Sequence, residues 1–204
     1  AMNSDIRASS IRERVAADQA ALAGRKGHDP VVDARSRRAS VNLVSQQLRA
    51  GQLCHDRLAN LEFVIDDYEL LAGRIQSVVR TKAELKEAHD SLASVPGSPG
   101  QTGHCEVATD DLFALGIDGL TAKIARREKS ADEEQAEACQ SFMAALCGWS
   151  AMIENAVRPA EGALAEADPE RQAELAAIID SCRWIAHRPP RTFLDALHLV
   201  WLVQ

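Results

Sequence analysis

The sequence predicts an all-α fold, and its composition and patterning both indicate this. Hydrophobic residues make up 46% of the 204 residues, whereas aromatic residues make up only 4%. The core must therefore consist mostly of Ala, Leu, Val and Ile side chains, which suit closely packed helices better than aromatic-rich sheets. Apolar residues also recur at three- and four-residue spacing along much of the chain. We predict a single helical domain over residues 1–204, built as a multi-helix array or bundle.

The first half of the chain predicts two helices followed by an irregular segment. Residues 1–30 contain sparse apolar positions, which indicate a weakly anchored N-terminal helix. A second helix is expected from about residue 32 to residue 50, with Gly51 as its stop. Residues 53–79 combine adjacent apolar residues with a turn signal, which favours two short pieces around a turn. Residues 93–103 contain two prolines and three glycines and predict a loop.

The second half predicts longer helices with clear starts. Thr109, followed by two aspartates, is a good N-cap for a helix that runs to about residue 129. A long helix is expected over residues 131–165, kinked or ended near Pro159. Asp168 before a proline indicates the start of another helix that runs to about residue 186.

The last segment, PPRTFLDALHLVWLVQ, predicts a helix that is apolar on opposite faces. Thr192 can cap its start, and Asp195 can reach back towards that cap. No glycine or polar turn follows to close it, so we expect a domain truncated at its C-terminus. A helix that is apolar all round needs cover, so we expect it to pack against the remainder of a larger protein or to drive self-association.

Charge and cysteine content restrict the function classes. The net charge of -7 disfavours a nucleic-acid partner. The basic cluster of Arg35, Arg37 and Arg38 is either a solvated helix face or an anion site. Five cysteines without a CxxC spacing, and no signal or membrane-spanning segment, predict a cytoplasmic protein that does not enter a membrane.

No motif in the chain performs a reaction by itself. Walker A, GxGxxG, HExxH and GxSxG patterns are all missing from the sequence. His104 and Cys105 lie just after the Gly/Pro loop and just before a predicted helix start, where backbone N–H groups can face a bound polar molecule. The alternative is that His104 bonds a loop carbonyl and Cys105 is a small buried side chain.

Three passages resemble the N-terminal region of the glycyl radical enzymes, the family that includes pyruvate formate-lyase. CRWIAHRPPRTFLDALHLVWLVQ is similar to the family's Pro-Pro-x-Thr-Phe-x-Glu-Ala-Leu-Gln pattern, and GHCEVATDDLFALGIDGLTAKI to its Gly-His passage with a Gly-x-x-Gly spacing. LEFVIDDYELLAGRI is a weaker match to a stretch ending in Gly-Asn. Asp195 stands where the family usually has Glu, His198 where it has Gln, and Arg74 where it has Asn.

The resemblance implies a function that the residues alone do not. It implies the helical N-terminal part of a radical lyase or dehydratase of anaerobic metabolism, without the barrel, whose substrate is small and polar. The family's thiyl cysteine and glycyl radical lie beyond the matched region, so we expect no catalytic residue, cofactor or metal site here. The complete enzyme would carry a glycyl radical installed by a radical-SAM activase. By resemblance, His104 is the single candidate substrate-binding residue.

Two functions therefore remain open at the sequence level. In the first, the chain is the helical portion of a glycyl radical enzyme, with the barrel as its partner, and is inactive alone. In the second, it is a self-standing helical binding or structural module derived from that family. A reading frame that continues past Gln204 into a barrel would favour the first.

Overall fold

The computed structural model describes residues 29–43, 45–76, 78–93, 95 and 109–203, with four earlier helical positions at Ser9, Arg12, Glu13 and Ala16. From residue 29 onward, the described residues form seven helices and one ribbon of two short antiparallel strands. The helices are α1 (Pro30–Ala39), α2 (Gln46–Ala59), α3 (Lys82–Asp90), α4 (Thr109–Glu128), α5 (Glu133–Leu164), α6 (Pro169–Ile185) and α7 (Phe193–Val203). The strands are β1 (Phe63–Val64) and β2 (Arg74–Ile75). The prediction of an all-α fold is confirmed.

Side-chain caps fix most of the helix starts. The Asp168 carboxylate accepts from the N–H groups of Glu170 and Arg171, both at 3.0 Å, as the Asp-Pro pair predicted. Thr81 and Glu84 form a reciprocal capping box at the start of α3, a helix that the sequence analysis did not predict. These bonds satisfy backbone donors that have no partner inside the helix.

The predicted helix over residues 32–50 is wrong, because two helices lie there. Helix α1 ends at Ala39, and Ser45 caps the start of α2 through bonds to Gln47 and Leu48. Helix α2 then continues through Gly51, the predicted stop, to Ala59. A serine cap hidden inside a helix-like apolar spacing explains the error. The turn predicted within residues 53–79 lies between β1 and β2, but residues 53–59 belong to α2 and do not form a separate short piece.

Helix α5 runs through Pro159 to Leu164, close to the predicted bound at residue 165, and does not end at this proline. A proline inside a helix removes one backbone hydrogen bond and costs about 3 kcal/mol. Burial offsets that cost, because Ala156, Val157 and Ala160 on either side are at most 3% exposed.

The core lies between α4, α5, α6 and α7. Its most deeply buried side chains include Ile153, Leu175, Ile178, Ile185 and Leu199, each at most 1% exposed. Helix α2 crosses α5 at close range on the other side. A Cβ atom added at Gly148 would lie 2.7 Å from the Cα atom of His55, so only glycine permits this approach.

Helix α7 has one buried face and one open face. Asp195, His198 and Leu199 are at most 1% exposed, whereas Phe193 is 79% and Trp201 is 52% exposed. Leu197 and Val200, each 39% exposed, complete the open face at helical spacing. We call Phe193, Leu197, Val200 and Trp201 the apolar stripe. Among the described residues, no helix combines the length and the apolar character required to cross a bilayer.

Candidate functional site

The site residue predicted from the sequence lies outside the described residues. Neither His104 nor its neighbour Cys105 is described, so the substrate contact of His104 stays a prediction. The Gly/Pro loop over residues 93–103 is described only at Ala93 and Val95. The description resumes at Thr109, at the start of α4. The described segments that follow the Gly-His passage, together with the turn between β1 and β2, form the candidate site.

The first contact of this site joins α4 to the loop after α6. Gly116 kinks α4 with a φ of 66° and a ψ of 179°, a backbone conformation that is essentially restricted to glycine. A Cβ atom added there would lie 2.4 Å from the carbonyl carbon of Arg188 and 2.6 Å from the nitrogen of Pro189. Two residues later, the Asp118 N–H donates to the His187 carbonyl over 2.9 Å. The two passages that carry the family resemblance are thus packed backbone to backbone.

His187 strengthens this junction through both ring nitrogens. Nδ1 lies 3.2 Å from Asp118 Oδ1 on α4, and Nε2 lies 3.1 Å from Glu154 Oε1 on α5. Partial burial lowers the pKa of His187, but the bonds to the two carboxylates outweigh it and raise the pKa above 6.5. The protonated ring can donate to both carboxylates, so it links three segments of the chain.

Trp184 organises the neighbouring positive charges. The guanidinium carbons of Arg188 and Arg191 lie 4.5 and 4.3 Å from the centre of its ring. Its Nε1 donates to the Pro189 carbonyl over 2.8 Å, which holds the loop against α6. Trp184 and Arg188, together with His187 and Asp118, line an open cleft of about 280 Å³.

A buried polar cluster lies beneath this loop. Arg191 donates its backbone N–H and its Nε to Asp195 Oδ2, over 2.9 and 3.0 Å, and the Asp195 side chain is 2% exposed. Burial alone would raise the pKa of Asp195, but the bonds from Arg191 and Ser181 lower it to about 2. The sequence predicted that Asp195 reaches back to the cap residue Thr192. Its carboxylate instead accepts from Arg191, one residue earlier, while Thr192 Oγ1 accepts from the Asp195 N–H over 3.1 Å.

His198 completes the cluster. Its Nδ1 lies 2.8 Å from Ser181 Oγ, and burial lowers its pKa to about 4, against the opposing effect of the Asp195 charge. Because the Ser181 hydroxyl donates to Asp195, it accepts from Nδ1–H, and the Nε2 of His198 carries the lone pair. That atom is buried and has no hydrogen-bond partner among the described residues. The ring is neutral at pH 7.

The Ser181, His198 and Asp195 cluster is not a catalytic triad. In a triad, the histidine lies between the serine and the carboxylate and the serine is open to substrate. Here Ser181 lies between the other two, and all three residues are at most 2% exposed. The cluster therefore positions α7 on α6. Asp195 and His198 are also two of the three departures from the family pattern, and the structure brings them together.

The third passage joins the same region through α6 and α7. Arg171 donates to the carbonyls of Glu69 and Asp66, over 2.7 and 2.9 Å, and holds the turn between β1 and β2 on α6. The Trp201 Nε1 donates to the Gly73 carbonyl over 2.6 Å. About half of the Trp201 side chain is nevertheless exposed.

Cys182 on α6 is a buried, unreactive thiol. Cys182 is fully buried, and burial raises the pKa of its thiol to about 12. Cys182 therefore acts as a packing residue in the core. Within the described part of the chain, no three His, Cys, Asp or Glu residues are grouped so that they could hold a metal ion.

Comparison with known proteins identifies the family. Residues 79–204 match the family model described as pyruvate formate lyase-like. The chain belongs to this family of glycyl radical enzymes. Probable dehydratase YbiW of Escherichia coli (strain K12) is 33% identical over 108 residues, which are 50% of this chain and 13% of that protein.

Solved structures agree on the fold. The glycerol-bound B12-independent glycerol dehydratase from Clostridium butyricum matches with a TM-score of 0.69 at 12% identity, over 85% of this chain and 30% of that one. A glycyl radical enzyme from Archaeoglobus fulgidus gives a TM-score of 0.64 at 17% identity, over 85% of this chain and 31% of that chain. A structure concerning 1,2-propanediol dehydration in Roseburia inulinivorans gives a TM-score of 0.69 at 15% identity, over 86% of this chain and 30% of that chain. The chain thus spans less than a third of each of these structures.

Proposed function

We propose that this chain is the helical portion of a glycyl radical enzyme, a radical lyase or dehydratase that acts on a small polar substrate. On its own the chain has no turnover, because the thiyl cysteine and the glycyl radical of the family lie in segments that these residues do not match. The complete enzyme carries a glycyl radical installed by a radical-SAM activase. The match of residues 79–204 to the family model is the observation that carries the proposal.

The relatives favour dehydratase chemistry within the family. YbiW is named a probable dehydratase, and two of the matched structures are described as a glycerol dehydratase and by 1,2-propanediol dehydration. Small polyols are therefore the first substrates to test.

The apolar stripe of α7 supports the proposed partner, which is the remainder of the enzyme. Two of its side chains, Phe193 and Trp201, are large aromatic residues that are more than half exposed on one helix face. Contiguous apolar side chains of this kind mark a surface that another protein element covers. In the proposal, the barrel packs on this stripe, and the stripe drives self-association when the barrel is missing.

His104 is the proposed substrate contact. One hydrogen bond from the His104 ring would hold the substrate against the radical cysteine. His104 would thus contribute by positioning the substrate. In a complete enzyme, His104→Ala should lower turnover and leave glycyl radical formation intact. An unchanged turnover number would remove His104 from the proposal.

The decisive experiment compares this chain with the product of its full reading frame. Each is treated anaerobically with a radical-SAM activase, then assayed for a protein radical by electron paramagnetic resonance and for dehydration of glycerol and 1,2-propanediol. We expect both signals from the full product and neither from residues 1–204 alone. Turnover by the isolated chain, or a reading frame without a barrel, would reject the proposal and favour a self-standing binding module.

A further inference from the structure

Helix α4 is bent sharply at Gly116. Lys123 Nζ donates to Asp111 Oδ2 over 2.5 Å, although the two residues are 12 positions apart in the sequence. In a straight helix 12 residues advance about 18 Å, a distance that a Lys and an Asp side chain cannot bridge together. The kink at Gly116 therefore turns the first arm of α4, residues 109–115, towards its second arm, residues 117–128.

The two arms also meet directly beside the bend. A Cβ atom added at Gly119 would lie 2.9 Å from the Cβ atom of Leu115. In a regular helix the Cβ atoms of residues four positions apart are separated by about 5–6 Å. The Gly-x-x-Gly spacing thus has a physical basis, because Gly116 permits the bend and Gly119 makes room for the other arm.

Two kinds of contact hold the first arm in place. Leu112 is 1% exposed and anchors the apolar side of the arm in the core. On the polar side, the ion pair between Asp111 and Lys123 is the sole side-chain hydrogen bond that links the first arm to another part of the described chain. Because Asp111 lies in the first turn of α4, loss of this ion pair would loosen the beginning of the arm, while Leu112 would still hold its middle.

The Gly-His passage leads into this first turn, since only residues 105–108 separate His104 from Thr109 in the sequence. We propose that Lys123 is a positioning residue for the substrate: by holding Asp111 it fixes the start of α4, from which the Gly-His passage departs. This inference rests on the proposed substrate contact of His104. Small displacements of a group that positions a substrate lower the rate of the reaction, so the ion pair should affect catalysis from a distance.

The kinetic test uses the product of the full reading frame, with glycerol or 1,2-propanediol, whichever the wild type dehydrates. Lys123→Met removes the charge and keeps the length of the side chain, whereas Lys123→Arg keeps the charge. We expect Lys123→Met to lower kcat/KM about threefold, as for an ion pair whose two side chains are about half exposed, and to leave the radical yield unchanged. Lys123→Arg should retain the wild-type value. Lys86→Met is the matched control, because it removes the exposed ion pair with Asp90 on α3 and should change neither quantity.

A double-mutant cycle with His104→Gln separates positioning of the substrate from general stabilisation. If Lys123 acts through His104, Lys123→Met has no further effect in the His104→Gln variant. The cycle is measured in kcat/KM and also in the affinity of the unactivated enzyme for the same diol or triol, which needs no turnover. An equal loss in both backgrounds, or no loss in either, would overturn the proposal.

Hydrogen exchange of the 204-residue chain tests the ion pair without any catalysis. Lys123→Met should speed amide exchange about threefold in the peptide that covers the first arm, as followed by mass spectrometry, and Lys86→Met should not. Unchanged exchange in Lys123→Met would overturn the proposal, because the first arm would then not depend on Lys123. Absence of turnover in the wild-type full product would instead reject the proposed function, whatever the exchange rates are.

Discussion

At the residue scale, the environments of His187 and His198 shift their pKa values in opposite directions. His187 lies between Asp118 and Glu154 at the surface, where its pKa is raised, whereas His198 is buried beside Ser181, where its pKa is lowered to about 4. The sequence could not distinguish them, because both simply follow apolar residues. Burial and the nearest carboxylates decide the protonation state of each ring.

The two histidines should give stability a maximum near pH 6.5. His187 has a raised folded pKa, so its contribution is complete below pH 6.5 and is lost as the pH rises through that folded value. Because His187 is 43% exposed, we expect a loss of only about 0.5 kcal/mol. His198 acts in the opposite sense, because its pKa in the folded chain is lowered. Between pH 6.5 and about 4 the unfolded chain binds the proton of His198 more readily than the folded chain, so stability falls as the pH drops through this range.

Urea unfolding from pH 4.5 to pH 8.5 would measure both effects. His187→Gln should remove the fall in the free energy of unfolding above pH 6.5 but keep the fall on the acidic side. His198→Gln should do the reverse. Identical pH profiles for the wild type and His187→Gln would contradict the assigned ion pairs.

A double-mutant cycle should detect coupling between Asp195 and His198. Asp195→Glu adds a methylene to a site that is 1% exposed, which should cost about 1–3 kcal/mol. Together with His198→Gln, this change restores the residue pair usual in the family. We expect the double variant to be more stable, by at least about 0.5 kcal/mol, than the sum of the two single-variant losses would give. Additive free energies of unfolding, measured by urea denaturation, would show that the two departures are independent.

At the element scale, the helix starts were predictable and the long-range junctions were not. Asp168 and Thr109 predicted their helix starts because capping is a local interaction. The division at Ser45 was missed because the apolar spacing runs on across this cap. The sequence left open whether Pro159 kinks or ends α5, and burial on both sides of the proline decides that the helix continues. The Gly-x-x-Gly spacing was noticed, but the contact of Gly116 with Arg188 joins residues that are distant in sequence.

The Gly116 kink should be intolerant of any side chain. Gly116→Ala combines a φ of 66° with a Cβ atom 2.4 Å from the Arg188 backbone, so we expect a loss of about 2–4 kcal/mol. Gly162→Ala is the matched control, because nothing lies within 4 Å of the added atom in the last turn of α5. It should stabilise the protein by about 0.5–1 kcal/mol. Equal melting temperatures for the two variants would contradict the kink.

At the scale of the whole molecule, the apolar stripe should make the isolated chain associate. Phe193→Ser should reduce association, because Phe193 is 79% exposed at the start of the stripe. Phe142→Ser is the control, since this phenylalanine is 63% exposed on α5, outside the stripe. Sedimentation velocity over a concentration series measures both variants. A wild-type chain that stays monomeric at high concentration would show that the stripe needs no cover.

The overall architecture could be predicted further than the candidate site. Composition and periodicity are averaged over many residues, so the all-α fold survived errors in single helix boundaries. The site depends on contacts such as Asp118 with His187 and Trp201 with Gly73, which no local pattern specifies. His104, the one residue chosen by resemblance, lies outside the described residues, and the sequence remains its sole support.

The bond from Trp201 to Gly73 also gives the molecule a natural optical reporter. The Nε1 of Trp201 already donates a hydrogen bond within the chain. The exposed half of the ring therefore changes its environment only when another surface covers it. In a variant in which Trp149 and Trp184 are replaced by phenylalanine, the wavelength of the Trp201 fluorescence maximum would respond to docking on α7 without any attached dye. The rate of assembly could then be measured by stopped-flow fluorescence of this single tryptophan.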